Sequence, residues 1–171
     1  MDALVVYESM FGNTRDVAVA IADGLSAGME VTVVEVGSAP TEIGDDVALL
    51  VVGGPTHAFS MSRPTSREDA AKETEAGVVS TGIGLREWLV TVAVPAGLAT
   101  AAFDTKVNRP LTGSAATAAA KRLKRRGLRV VAPPADFYVL GKTGPLDAGE
   151  VERARRWGEA LVPITPEFAA A

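Results

Sequence analysis

The sequence has no cysteine and a single histidine. The first absence rules out disulfides, thiolate zinc sites, cysteine-ligated iron–sulfur clusters and a cysteine nucleophile. The second scarcity rules out a multi-histidine metal centre. No apolar run reaches the ~18 residues that a membrane span needs. The N-terminus lacks the cationic stretch and following apolar core of a secretory signal, because Asp2 comes first and Glu8 soon interrupts. A basic excess is missing too: the formal net charge is −4 and the isoelectric point is ≈ 5.1. Nucleic-acid binders normally leave a basic footprint, so nucleic acid is not expected as the primary partner. The expectation is a protein of a reducing compartment, most simply the cytoplasm, with no membrane attachment.

What is present suffices for a core. The chain has 171 residues, 47% apolar and 22% charged. That length reads as one domain, and it should bury about 70% of its unfolded surface. Ala3–Tyr7 and Val47–Val52 are continuous apolar runs, which suits strands covered on both faces. Val31–Val36 is a further strand, and Leu98–Phe103 a weaker, Ala-rich one. Leu128–Ala132 and Phe137–Leu140 make a fifth strand interrupted by Pro133 and Pro134. Helical spacing appears at Val17, Ile21 and Leu25, at Leu85, Trp88, Leu89 and Val92, and from Ser114 to about Arg126. Ser66 with Asp69 predicts a short helix over Arg67–Glu75, and Asp147 with Glu150 predicts the start of a last helix. That helix is expected to bury Val151, Ala154, Gly158 and Leu161.

Strands alternating with helices predict an α/β fold. The expected architecture is a doubly wound, five-stranded parallel sheet in order 2-1-3-4-5 with helices on both faces. Residues 1–163 form the single domain and 164–171 a frayed tail. In such a sheet ligands bind beyond the carboxyl ends of the strands, where the strand order reverses between the first and third. The loops to read are therefore Glu8–Thr14, Gly53–Met61 and Asp104–Thr112.

The first of these is Ser9-Met10-Phe11-Gly12-Asn13-Thr14, with two hydroxyls, an amide and a glycine where a helix begins. Unpaired N–H groups and the helix dipole favour a phosphate there, at about 0.3–1 kcal/mol per contact. No lysine stands at the spacing of a nucleotide-triphosphate loop, and no G-x-G-x-x-G is present. One phosphomonoester fits better than a polyphosphate. The other reading is a cap that serves only its own helix. The second loop, Gly53-Gly54-Pro55-Thr56-His57-Ala58-Phe59-Ser60-Met61, lets backbone approach a ligand at its paired glycines. Phe59 and Met61 either meet that ligand or plug the core. His57 has no nucleophile motif beside it and reads as a hydrogen-bonding loop residue. The basic run Lys121–Arg126 sits in the last turns of a helix, where cations suit the dipole.

These two loops resemble those of the flavodoxin-like family of FMN-binding proteins. Ser9–Thr14 is similar to the family's phosphate loop, (Ser/Thr)-x-x-Gly-x-Thr, and Gly53-Gly54-Pro55-Thr56 to its flavin-ring loop. Asp104 fits a third, looser segment, and Phe137-Tyr138-Val139 followed by Gly144-Pro145-Leu146 resembles the C-terminal part. The resemblance implies FMN held non-covalently. Ser9, Gly12, Asn13 and Thr14 would hold its phosphate through hydroxyls and backbone N–H groups, and Met10 and Phe11 through backbone N–H. Pro55, Thr56, His57, Ala58 and Phe59 would line one side of the ring. Asp104, Thr105, Lys106 and Val107 would line the other. No residue is expected to act as a general acid or base, because the cofactor carries the chemistry.

Family carriers usually sandwich the ring between aromatics, whereas Asp104–Arg109 contains none. Losing one or two such contacts, at about 0.5–1.5 kcal/mol each, predicts weaker FMN binding by roughly ten- to a hundredfold. Lys106 and Arg109 read either as ordinary solvated loop charges or as one of them stabilising an anionic reduced flavin, in which case Lys106→Glu should lower that couple's midpoint potential. The functional expectation is an electron carrier between an unidentified reductase and acceptor. An FMN-dependent NAD(P)H:quinone oxidoreductase is the alternative, and a flavin-free binding module on the same fold is a third.

Overall fold

The apolar runs become strands of one sheet in the computed structural model, which describes residues 1–164. β1 (Asp2–Tyr7), β2 (Glu30–Glu35), β3 (Val47–His57) and β5 (Ala99–Val107) lie parallel. β4 (Ser60–Met61) is a two-residue strand folded back antiparallel on the end of β3. β6 (Arg129–Val130) and β7 (Ala135–Val139) both pair with β5, at its start and at its end. Pro133 and Pro134 fall in the gap between them, so the two pieces form one interrupted fifth strand. The order β2-β1-β3-β5-β6 is thus the expected 2-1-3-4-5 of a flavodoxin-like fold.

Alternate residues of each strand feed two cores. Ala3, Val5, Leu49, Val51, Ala101 and Phe103 face α1 (Asn13–Leu25) and α5 (Glu150–Leu161). Leu4, Val6, Leu50, Val52 and Ala102 face α3 (Leu85–Thr91) and α4 (Ala115–Arg125). α2 (Pro64–Lys72) stands beside the crest of the sheet and buries only Ala70. No helix among the described residues is long and apolar enough to cross a membrane.

α1 and α5 meet backbone to backbone. A Cβ on Gly24 would lie 1.9 Å from the Arg155 carbonyl oxygen, and one on Gly158 would lie 2.2 Å from that of Ile21. Neither position can carry a side chain without separating the helices.

Several boundaries differ from the sequence reading, for identifiable reasons. β3 runs five residues past Val52, through the paired glycines and Pro55. Gly53 is needed inside the strand because the Phe103 ring fills the space of its Cβ, at 2.1 Å. β1 ends opposite Gly53, so Pro55 sits where β3 has lost one neighbour and no ladder donor is missed. β5 likewise extends past Phe103 to Val107. α2 begins at Pro64, which suits a first helical position, and Ser66 lies in its first turn, accepting from the Arg63 N–H at 2.9 Å. The last helix starts from Gly149 (φ 82°) rather than Asp147, whose carbonyl accepts the Glu150 N–H. Val151 is 52% exposed and leaves the buried stripe to Ala154, Gly158 and Leu161. Of the expected frayed tail, Ile164 closes a short 3-10 turn (Val162–Ile164), and residues 165–171 lie outside the described residues.

Candidate functional site

The loop after β1 is held from behind and left open in front. Gly12 precedes α1 with φ 95° and ψ −11°, a left-handed conformation that favours glycine. The first helical bond is Asp16 N–H to the Gly12 carbonyl, so the N–H groups of Asn13, Thr14 and Arg15 have no helical partner. Ser9 Oγ accepts the Gly12 N–H at 3.1 Å. The Ser9 N–H donates to Ser80 Oγ at 2.9 Å, Ser80 N–H to the Ser9 carbonyl and Val79 N–H to the Met10 carbonyl. The chain between α2 and α3 therefore folds back and clamps the loop. Thr14 Oγ1 lies 2.7 Å from Thr105 Oγ1, and Asn13 Nδ2 donates to the Thr143 carbonyl at 3.1 Å. The N–H groups of Met10, Phe11, Asn13 and Thr14 find no acceptor among the described residues.

The helix entrances on the other face are filled by the protein itself. Leu85 N–H, at the start of α3, donates to Glu8 Oε1 at 2.7 Å. At α4, Ala115 N–H donates to Thr56 Oγ1, Ala116 N–H to Asp104 Oδ2 and Thr117 N–H to Ser114 Oγ, each within 3.0 Å. The two carboxylates are buried and each keeps one oxygen without a partner among the described residues. Burial pushes the Glu8 carboxyl above its ordinary range. Burial, reinforced by the nearby Asp136 charge, pushes Asp104 up to about 6 against the hydrogen bonds it accepts.

A cavity of about 540 Å³ opens in front of α1. Its floor is Ser9, Met10, Phe11, Asn13 and Thr14. One wall is Pro55-Thr56-His57-Ala58 and the other Thr105-Lys106-Val107 with Arg109. The sequence-predicted residues are thus brought together, except three. Gly12 shapes the loop from outside the lining, Phe59 points away with 68% of its surface exposed, and Asp104 is turned to the opposite face of β5, toward α4. His57 Nδ1 lies 3.0 Å from Ser66 Oγ. Burial, then the charges of Arg67 and Lys142, lower its pKa, so the ring is neutral near neutral pH. Lys106 Nζ donates to the Gly113 carbonyl at 2.6 Å and lies 3.6 Å from Asp136.

The far rim lies outside the sequence-predicted site residues. Ser66, Asp69 and Ala70 of α2 line the cavity, as do Val139, Gly141 and Lys142 after β7. Lys142 also pairs with Glu73 at 2.7 Å, joining that rim to the end of α2. The available signal was the excess length of the segment between β3 and α3.

The flavodoxin family model matches residues 5–85, which include the open loop and the first wall. The chain has the flavodoxin-like fold. Solved structures similar to it include a flavodoxin from the domain Archaea, at 22% identity, TM-score 0.67 and coverage of 95% of this chain and 96% of that one. Oxidised flavodoxin 1 from Bacillus cereus gives 19%, 0.68, 95% and 97%. The WrbA-like flavodoxin from Agrobacterium tumefaciens gives 16%, 0.61, 98% and 98%. At such identities these likenesses speak for the fold. No curated protein matches. The residues of this flavodoxin-like chain fit a phosphate ester carrying a flat ring: unpartnered N–H groups face the cavity floor, and two β-strand ends form facing walls. The aromatic rings on the lining, among the described residues, are those of Phe11 and His57, and no tryptophan or tyrosine among them covers either wall.

Proposed function

We propose that this protein binds FMN non-covalently and carries electrons between a reductase and an acceptor. The observation that carries the reading is the open N-terminus of α1, which faces the cavity with unpartnered N–H groups, while α3 and α4 are capped by the protein's own carboxylates. Met10, Phe11, Asn13 and Thr14 would direct backbone N–H groups at the phosphate. The dipole adds about 0.3–1 kcal/mol per contact, and up to about 2 when partly buried. Ser9 and Ser80 hold the loop in shape. Pro55–Ala58 and Thr105–Val107 would orient the ring and exclude water from it. FMN supplies the redox chemistry, and the chain supplies position and charge. Arg109 has no ion-pair partner among the described residues and lines the cavity, whereas Lys106 is already engaged by Gly113 and Asp136. Arg109 is therefore the stronger candidate for favouring negative charge at the ring edge.

Titration of the flavin-free chain with FMN and with riboflavin tests this. The chain should bind FMN at least about a hundredfold more tightly, because riboflavin lacks the phosphate. Equal affinities would overturn it. The bare wall at Thr105–Val107 favours a second reading, an NAD(P)H:quinone oxidoreductase whose substrate stacks on an uncovered ring. Turnover of NAD(P)H with a quinone by the purified protein alone would establish that reading over the carrier.

A further inference from the structure

Residues 105–135 contain no carboxylate and eight of the 17 lysines and arginines. The rest of the chain holds nine cations against 21 carboxylates, so a protein of net charge −4 keeps one strongly cationic segment. Part of it is spent internally: Arg126 donates to the Leu89 and Val92 carbonyls. Arg109, Lys121 and Arg125 are exposed and have no ion pair among the described residues. Lys121 and Arg125, four apart on α4, share a strip of its surface.

Two apolar side chains stand out beside these cations. Leu111 is 91% exposed and Phe59 is 68% exposed. Both occupy left-handed backbone, with φ 59° and 74°, a conformation that L-residues with bulky side chains adopt at a cost. The display is fixed rather than loose: Phe59 bridges to Gly113, whose missing Cβ would lie 2.1 Å from the Phe59 carbonyl oxygen. Between them runs a groove of about 560 Å³, edged by Lys121 and sharing Lys106 and Arg109 with the cavity over α1.

We propose that this cationic, doubly anchored face docks an acidic protein partner against the mouth of the cavity. That the partner is a redox protein rests on the reading given above; the docking itself does not. Charge complementarity selects the acidic partner and orients it, and Phe59 and Leu111 seat it.

An acidic [2Fe–2S] ferredoxin serves as probe, basic cytochrome c as its control, and phosphatidylserine vesicles as a third arm. Binding is followed by NMR shift mapping, with and without FMN. The ferredoxin should bind at low salt, release as salt rises and shift resonances around Leu111 and Lys121. Lys121→Glu with Arg125→Glu should weaken it at least tenfold. Leu111→Gly should weaken it several-fold while leaving Tm equal or higher, because glycine accepts that backbone freely. Indifference to either variant, equal binding of cytochrome c, or absence of ferredoxin binding would overturn the proposal. So would vesicle binding lost in the same variants. Docking by the flavin-free chain separates this result from FMN binding, which the flavin titration decides.

Discussion

α1 and α4 both begin where a strand of the same sheet ends, yet their entrances are built in opposite ways. At α4, Asp104, Thr56 and Ser114 reach back and satisfy three successive N–H groups. At α1 the corresponding groups are left facing a cavity, and the nearest hydroxyls are turned to other tasks. A helix start that the protein fills is a structural joint. One that it shapes and leaves unfilled is prepared for an anion from outside. The carboxyls of Glu8 and Asp104 illustrate the cost of the first solution, since burial pushes both upward in pKa.

The comparison can be broken by giving α1 its own anion. Gly12→Asp would set a carboxylate at the helix start and oppose a phosphate by charge. FMN affinity should fall at least about a hundredfold, worth about 3 kcal/mol, in a fluorescence titration. Any side chain is strained at this positive φ, aspartate and asparagine less than most, so Gly12→Asn carries the same strain without the charge and should keep most of the affinity. A Gly12→Asp variant that still takes up FMN normally would refute the open entrance as the anchor.

The complementary change acts on α4. Between pH 3.8 and about 6 the folded protein keeps a proton on Asp104 that the unfolded chain releases. Stability from this group is therefore complete below the lower value and is lost as pH rises toward the upper one. Asp104→Asn cannot ionise and still accepts hydrogen bonds. It should remove up to about 3 kcal/mol of that fall, seen as a smaller difference between the urea midpoints at about pH 4 and pH 7 than in the unaltered protein. An unchanged pH slope would show that Asp104 is not its source.

The smallest effect should come from the clamp behind α1. Ser80→Ala leaves the Ser9 N–H without its acceptor, a loss of about 1 kcal/mol. It should loosen FMN several-fold and raise hydrogen exchange at Ser9 and Met10. Exchange confined to other loops would mean that the clamp is redundant.

The strand order and the α1 loop were legible because both are written in contiguous patterns. Apolar runs alternate with helical spacing, and Ser9–Thr14 is a six-residue motif ending a strand. The end of β3 was not legible. Gly53, Gly54 and Pro55 resemble a break, and only the Phe103 ring lying across Gly53 explains why they continue a strand. Asp104 was placed at the cofactor from its position after the fourth strand. Its turn toward α4 depends on Thr56 and Ser114, 48 and ten residues away, which no local pattern couples. Ser80 and Lys142 were hidden for the same reason: they matter through contacts across the fold.

The glycine contact between α1 and α5 sets an order of events in the cell. Residues 9–14 leave the ribosome early, but the helix they open leans on Gly158, in the final α-helix among the described residues. Until translation passes Leu161, α1 has no backing on that flank. The α1 loop thus gains its final backing only once α5 has emerged and packed, so its shape is set by a segment made long after the loop itself.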